Sequence, residues 1–523
     1  MRLGLFSAYA FRPHSEHLAW IGHLARTSGH DVQGLSCDGA AATCYSMELL
    51  RRGRLHCIAC SLGDLRGFTE ITVRSARCFS ASEAAGQDFR PEALTSVRSI
   101  LRAEDPAELE SPRAQAMLDR LSGSMADMAA RLLRWIESER LDALLVFNGR
   151  MDLTRAAIRA AELAGIRFAC VERGSMDTGL RIFPQTDCQA LRHEHRLQRL
   201  FADQPLRREQ AETAASFFAK RFLARPVSEW RTYNPDRERC EWPGSGHGPR
   251  ILVGPSSRYE MMGEPERELR GDARELIDES IATLGATPGQ VVVRGHPVWG
   301  EQIAGWSGAS SAEHYRSWCR ARGYHYIEPT EKIDSLGLML DADVVVSTGG
   351  TIGLEAAALG KPSIVLAPCF YAQGGAVIDC SEQPLQSAPA PLEPATALQT
   401  ARAALRSLYC HTHRFTQFGA FARPARNTQG TVWEYAEGAS FEPIDRALRT
   451  GWVEPADSEV ADDLGCDESR IAKCLLDRRF VELASLTDLN AASTRSFRPI
   501  ARTSFARLVQ TVRRRKPKGD QLG

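Results

Sequence analysis

The residues best suited to chemistry sit in two short elements of the second half of the chain, Arg294-Gly295-His296-Pro297 and Ser347-Thr348-Gly349-Gly350-Thr351. The first follows the apolar run 291–293 and the second follows 344–346, so each lies at the carboxyl end of a strand covered on both faces, as in a parallel sheet. Open α/β sheets place their ligands there. An imidazole at His296 can hydrogen-bond a phosphate, and Arg294 can add charge beside it. Gly349 and Gly350 allow a tight turn and a close backbone approach. The helix predicted over 351–359, closed by Gly360 and Pro362, aims its positive end at an anion. A nucleotide phosphate is the expected guest.

Two better-known phosphate motifs are excluded. Six residues separate Gly353 from Gly360 where a P-loop has four, and Pro362 stands where the Mg²⁺-binding hydroxyl belongs. No GxGxxG follows the first strand. Asp341-Ala342-Asp343 introduces a buried strand and is not read as a metal site. Four cysteines cluster as C-x6-C-x12-C-x2-C, at Cys37, Cys44, Cys57 and Cys60. Two readings stand side by side: a structural Zn²⁺ held by four thiolates, or reduced thiols packed as small hydrophobes.

The elements that must carry these residues form two series. Strands are predicted over 2–8, 32–35, 141–147 and 166–171, with helices over 15–28, 114–137, 153–164 and 209–224, the last of them closing the first half; 66–110 reads as irregular. A polar stretch rich in Pro and Gly follows. A second series places strands over 251–254, 291–294, 324–327, 343–347 and 363–366, and helices over 264–284, 311–321, 332–340, 351–359 and 394–407. The expected fold is α/β, two Rossmann-like lobes with parallel sheets and a helical, basic C-terminal tail. The expected divisions are a lobe over 1–225, a linker over 226–249, a lobe over 250–440 and a tail over 441–523. In the tail Phe505, Leu508, Val509 and Val512 share one helical face amid arginines and lysines, which suits an anionic membrane surface or a solvated end.

Lys plus Arg equals Asp plus Glu, at 65 each, so no global field steers the chain to nucleic acid. No secretory signal and no run of eighteen apolar residues is read, which leads to a cytoplasmic expectation with at most peripheral contact on the inner membrane face.

The RGHP element followed by the 347–362 stretch, STGGTIGLEAAALGKP, resembles the donor lobe of GT-B glycosyltransferases. It is most similar to the bacterial capsule and surface-polysaccharide group that includes the Kdo transferases and relates to bacterial sialyltransferases. Arg12-Pro13-His14 and Ser28-Gly29-His30-Asp31-Val32 resemble the usual GT-B opening, and the cysteine cluster resembles a pattern in some capsule-synthesis proteins. The resemblance covers 1–65 and 140–420. It implies that His296, Pro297, Ser347, Thr348, Gly349, Gly350 and Thr351, with Arg294, hold the nucleotide of a CMP-activated sugar, that Glu355 approaches the ribose, and that catalysis needs no metal or cofactor. Arg294 stands where members often carry Lys, and Gly254-Pro255-Ser256-Ser257 replaces a Gln-Pro element, which leaves the base of the nucleotide open.

Glycosyl transfer also needs a base for the acceptor hydroxyl. His14 and His17 follow the first strand, and Asp152, Glu172 and Asp177 follow later ones; Glu172 or His14 is the expected base. Asn148, Arg150, Arg173 and Asp177 are expected on the acceptor side. The function read from all this is transfer of a sugar from a nucleotide donor to a surface polysaccharide or lipid-linked glycan. A non-hydrolysing nucleotide-sugar epimerase and a non-catalytic polysaccharide assembly or export factor are the alternatives.

Overall fold

The computed structural model describes residues 1–65, 70–81, 88–174, 179–225, 237–261, 263–417, 422–427, 430–462, 465–486 and 496–499. The first sheet is built from β1 (Arg2–Ser7), β2 (Asp31–Ser36), β3 (Thr72–Ser75), β4 (Ala143–Phe147), β5 (Arg167–Arg173) and β6 (Leu180–Pro184), in the order β3-β2-β1-β4-β5-β6. All neighbours pair parallel except β5 with β6. The second lobe contributes β7 (Ile251–Gly254), β8 (Val291–Arg294), a hairpin of β9 (Gln302–Ile303) and β10 (Trp306–Ser307), β11 (His325–Ile327), β12 (Val344–Ser347), β13 (Ser363–Val365) and β14 (Ile378–Asp379). Its main sheet runs β11-β8-β7-β12-β13-β14, parallel throughout. Both lobes thus wind in the 3-2-1-4-5-6 order of a dinucleotide-type sheet. This is the expected pair of Rossmann-like lobes, the GT-B architecture. A third, antiparallel sheet joins β15 (Ala422–Asn427), β16 (Gly430–Ala436) and β17 (Phe497–Pro499).

The apolar runs form strands because alternate side chains feed two cores. Phe6, Leu144 and Val146 enter one face of the first sheet while Leu3, Leu5 and Leu145 enter the other. Leu252, Val292 and Val345 oppose Ile251, Val253 and Val344 in the second. Among the described residues no helix is long and apolar enough to cross a membrane.

Three sequence expectations differ from the structure. The helix expected over 264–284 begins at Ala273, because Pro265–Arg267 forms a separate 3-10 turn and the Asp272 carboxylate caps Arg274 N at 2.8 Å. The stretch 66–110 holds β3 and a helix over Arg90–Leu101. Most consequential, the helix Arg208–Phe222, expected to close the first lobe, packs on the second: Ala214, Phe218 and Phe222 share a core with Leu405, Leu475 and Phe480. The chain then returns the exchange. Trp433, Tyr435, Phe441 and Ile444 lie in the first lobe's core, with Tyr435 stacked on Trp20 at 4.8 Å. Beyond residue 440 the described helices are Glu442–Thr450, Cys466–Leu476 and Phe480–Leu483, and the basic stretch 501–523 lies outside the described residues.

Polar contacts fasten the lobes at several points, among them two made by buried arginine and carboxylate groups. Arg102, at the end of the Arg90–Leu101 helix and 1% exposed, reaches into the second lobe and donates to the carbonyls of Val298, Glu301 (2.6 Å) and Trp306 (3.3 Å). Its own carbonyl accepts from Ser311 Oγ at 2.9 Å. Elsewhere Arg155 of the first lobe pairs with Asp187 and with Glu264 of the second, and both carboxylates are buried. Burial pushes the Glu264 carboxyl upward, Asp187 beside it adds to the effect, and Arg155 offsets only part. The folded form then holds this proton more tightly than the unfolded chain, so its contribution to stability falls as pH rises above the ordinary carboxylate range. Glu264→Gln, which keeps the protonated shape, is expected to flatten the fall of Tm between pH 4.5 and about pH 8; an unchanged slope in thermal unfolding sinks this account.

Candidate functional site

The loops after β7, β8 and β12 meet around one cavity of about 500 Å³. β7 is the first strand of its six-stranded sheet and β12 the fourth, so the cavity lies at the carboxyl-end crevice where the winding reverses. His296, Pro297, Gly349, Gly350, Thr351 and Glu355 all line it, together with the Gly254–Ser257 loop. Its wall is completed from outside that sheet by Gln189 of the first lobe and by Arg221, Phe222 and Arg225 at the end of the exchanged helix.

His296 opens a short turn in which its Nδ1 accepts from Val298 N at 3.3 Å. Burial lowers its pKa to about 4, and the charges of Arg102, Arg221 and Arg294 contribute. At neutral pH the ring is uncharged, and with Nδ1 accepting, the proton resides on Nε2 as a hydrogen-bond donor. Gly349 has φ +98, a conformation that a side chain strains, and Tyr371 OH holds the turn by donating to Gly350 O. The first-turn N–H groups of the following helix are those a helix leaves without internal partners.

Several residues named from sequence take other places. Ser347 and Thr348 are fully buried and turned away from the cavity: Thr348 Oγ1 accepts from Ser256 N (2.8 Å) and Ser347 Oγ sits 3.4 Å from Tyr371 OH. They brace the loops rather than offering hydroxyls. Arg294 lines the cavity, yet its guanidinium donates to the carbonyls of Glu328 and Glu331, the latter at 2.8 Å. Glu355 Oε1 accepts from Arg221 Nε (2.6 Å) and Thr351 Oγ1 (2.8 Å). Sequence reasoning missed Arg221, Arg225, Arg237 and Arg267. With Arg294 they set five arginines against one carboxylate, Glu355, around the cavity, an environment for a polyanion. Arg267 donates through Nε to Gln189 O at 2.7 Å. No local pattern marks these arginines, since they arrive from four separate segments.

In the first lobe His14, Asn148 and Glu172 come together beyond the carboxyl ends of β1, β4 and β5. His14 opens the helix His14–Thr27 and stacks on Phe147 with ring centroids 3.5 Å apart. Its Nε2 lies 3.3 Å from Glu172 Oε1, and Asn148 Nδ2 donates to Glu172 Oε2 at 2.8 Å. Asn148 (φ +63) and Gly149 (φ +79) form a left-handed turn against Cys170 and Asp187. Burial pushes the Glu172 carboxyl up, but His14, Asn148 and the Arg173 backbone N–H together outweigh it and hold the value at about 2. Glu172 is therefore a permanent anion that orients the imidazole. With Nε2 facing Glu172, Nδ1 is buried and has no hydrogen-bond partner among the described residues. Arg150 is buried and donates to Ser99 Oγ at 2.8 Å, so it supports the loop. Asp177 lies outside the described residues. His17 is buried against Tyr435 OH at 2.8 Å, and burial lowers its pKa; it belongs to the core. The two sites are contiguous: Cys188 N donates to Asn148 O at 2.9 Å, and the next residue, Gln189, walls the cavity.

Cys37, Cys44, Cys57 and Cys60 line a second, small cavity with His56 and Asp64. Among the described residues no group of three or more His, Cys, Asp or Glu is placed to hold a metal ion. Burial pushes the Cys37 thiol up to about 11 and the Cys44 thiol well above its usual value.

No family model and no curated protein matches the chain. Among solved structures it is similar to the beta-Kdo 2,4-transferase KpsC of Thermosulfurimonas dismutans, 14% identical over 59% of this chain and 86% of that one, with a TM-score of 0.32. A UDP-GlcNAc 2-epimerase of Methanocaldococcus jannaschii, in complex with UDP-GlcNAc and UDP, matches at 12% identity over 86% of this chain and 99% of that one, TM-score 0.26. The glycosyltransferase SnogD from Streptomyces nogalater matches at 13% over 79% and 97%, TM-score 0.22.

Proposed function

We propose that this chain is a glycosyltransferase that moves a sugar from a nucleotide-activated donor, CMP-linked, onto a surface polysaccharide or lipid-linked glycan on the cytoplasmic side. The observation that carries this reading is the convergence of His296, the Gly349–Thr351 turn and five arginines on one cavity at the sheet's switch point. A volume of about 500 Å³ suits a nucleotide sugar. The donor phosphate lies against the turn, where the His296 Nε2–H and the surrounding positive charge stabilise the negative charge that develops as the sugar departs. His14, oriented by the anionic Glu172, is the group assigned to take the proton of the acceptor hydroxyl, and Glu172 steadies the imidazolium that results. Arg221, fixed by Glu355, keeps the cavity wall charged without moving.

His296→Ala is expected to weaken nucleotide binding about ten- to a hundredfold, the worth of one hydrogen bond to a charged group. Calorimetric titration and thermal shift with CMP, UMP, UDP, GDP and ADP measure it. A wild-type chain indifferent to all five, or an alanine variant that binds equally well, ends this reading. Conversion of a nucleotide sugar with no acceptor present moves the assignment to an epimerase.

A further inference from the structure

The helix Leu55–Gly63 is apolar on both sides. Its inner side carries Cys57 and Cys60 toward the thiol-lined cavity, with Cys57 Sγ 3.8 Å from Met47 Sδ and Cys60 Sγ accepting from Ala10 N at 3.2 Å. On the outer side Leu55 is 83% exposed and Ile58 59%. Ala59 and Leu62, half-buried, share that face at three- and four-residue spacing. Exposed Arg51, Arg52 and Arg54 precede the helix, and no Asp or Glu occurs between Glu48 and Asp64. Arg51 also lies over the Trp306 ring at 4.4 Å, which fixes the start of the segment against the second lobe.

We propose that this segment seats the protein on an anionic bilayer surface. A short apolar helical face bordered by arginines alone is the pattern of a helix lying at the headgroup boundary, with its side chains in the acyl edge and its cations among anionic lipids. A protein partner is the poorer match, because the apolar face is narrow and the flanking charge has one sign. The position is also productive. The far end of the helix holds the start of the helix that carries His14, with Ser15 Oγ donating to Gly63 O at 3.3 Å. Resting on the function proposed above, a lipid-linked acceptor anchored beside this helix presents its glycan to His14.

The test is flotation of the full chain with vesicles of phosphatidylcholine alone and with about one-third phosphatidylglycerol. Binding to the anionic vesicles is expected, with partition falling about tenfold in Leu55→Ser/Ile58→Ser and again in Arg52→Glu/Arg54→Glu. All four side chains are exposed, so thermal unfolding should not change. Three results overturn the proposal: no flotation of the wild-type chain with anionic vesicles; equal flotation of the serine variant, which assigns the contact to another surface such as the basic 501–523 stretch; or a dimer in sedimentation that the serine variant abolishes. Flotation needs neither donor nor acceptor, so failure of the transferase reading leaves this assay unaffected. Turnover of a lipid-free acceptor by the serine variant stays at the wild-type rate if only the membrane seat is lost.

Discussion

Replacement of His14 by alanine is expected to lower turnover about a thousandfold while nucleotide affinity stays at the wild-type value, because a positioned general base contributes on that scale and His14 lies outside the donor cavity. Glu172→Gln should lower turnover by less, since the ring remains stacked on Phe147 but loses the anion that steadies its charged form. The same carboxylate leaves a signature in stability. Its value drops from 4.5 to about 2 on folding, so the stabilisation is complete above pH 4.5 and is lost as pH falls from there toward 2. The glutamine variant should therefore be less stable at neutral pH, by about 3 kcal/mol at most, and converge with the wild type in acid. Steady-state kinetics beside nucleotide titration decide the first point. Undiminished turnover, or a parallel loss of nucleotide affinity, removes His14 from the role of base.

Arg102→Ala should cost about 3 kcal/mol or more, because it strips a buried charge-assisted donor from three carbonyls that have been taken out of water. The effect should also reach the site. Val298, Glu301 and Trp306 belong to the segment that directly follows His296-Pro297, so loosening it lets the imidazole drift from the cavity wall. Lysine is a poor substitute, since one ammonium cannot match a planar fork that spans three acceptors. Denaturant unfolding with nucleotide titration on the folded variant measures both parts. An alanine variant with wild-type stability contradicts the clamp, and one that is destabilised yet binds nucleotide normally contradicts the coupling to His296.

Much of the scaffold was legible because its signals are local. Three valines in succession before a Gly-Gly turn can hardly be anything but a buried parallel strand and its loop, and QVVVR before Gly-His-Pro reads the same way. What escaped was written in no single segment. β3 is a four-residue edge strand, TVRS, with Val73 its one apolar residue, so it lacks an apolar signature. The helix Arg208–Phe222 has a clear apolar face, but a face does not say which lobe will cover it. Ser347 and Thr348 directly precede the turn that lines the cavity, yet the direction of a hydroxyl depends on Ser256 and Tyr371, far away in the chain. The arginines of the cavity and the carbonyl-bound Arg102 are likewise visible only once the lobes are folded against each other.

The exchange of segments between the lobes has a practical reach. A fragment ending near residue 225 would leave Phe218 and Phe222 uncovered, and one ending near 420 would strip Trp20 of Tyr435. Neither half is a portable module. A chimera that exchanges the second half has to carry 208–222 along with it and leave 422–450 behind with the first, or it is left with two bare hydrophobic seams.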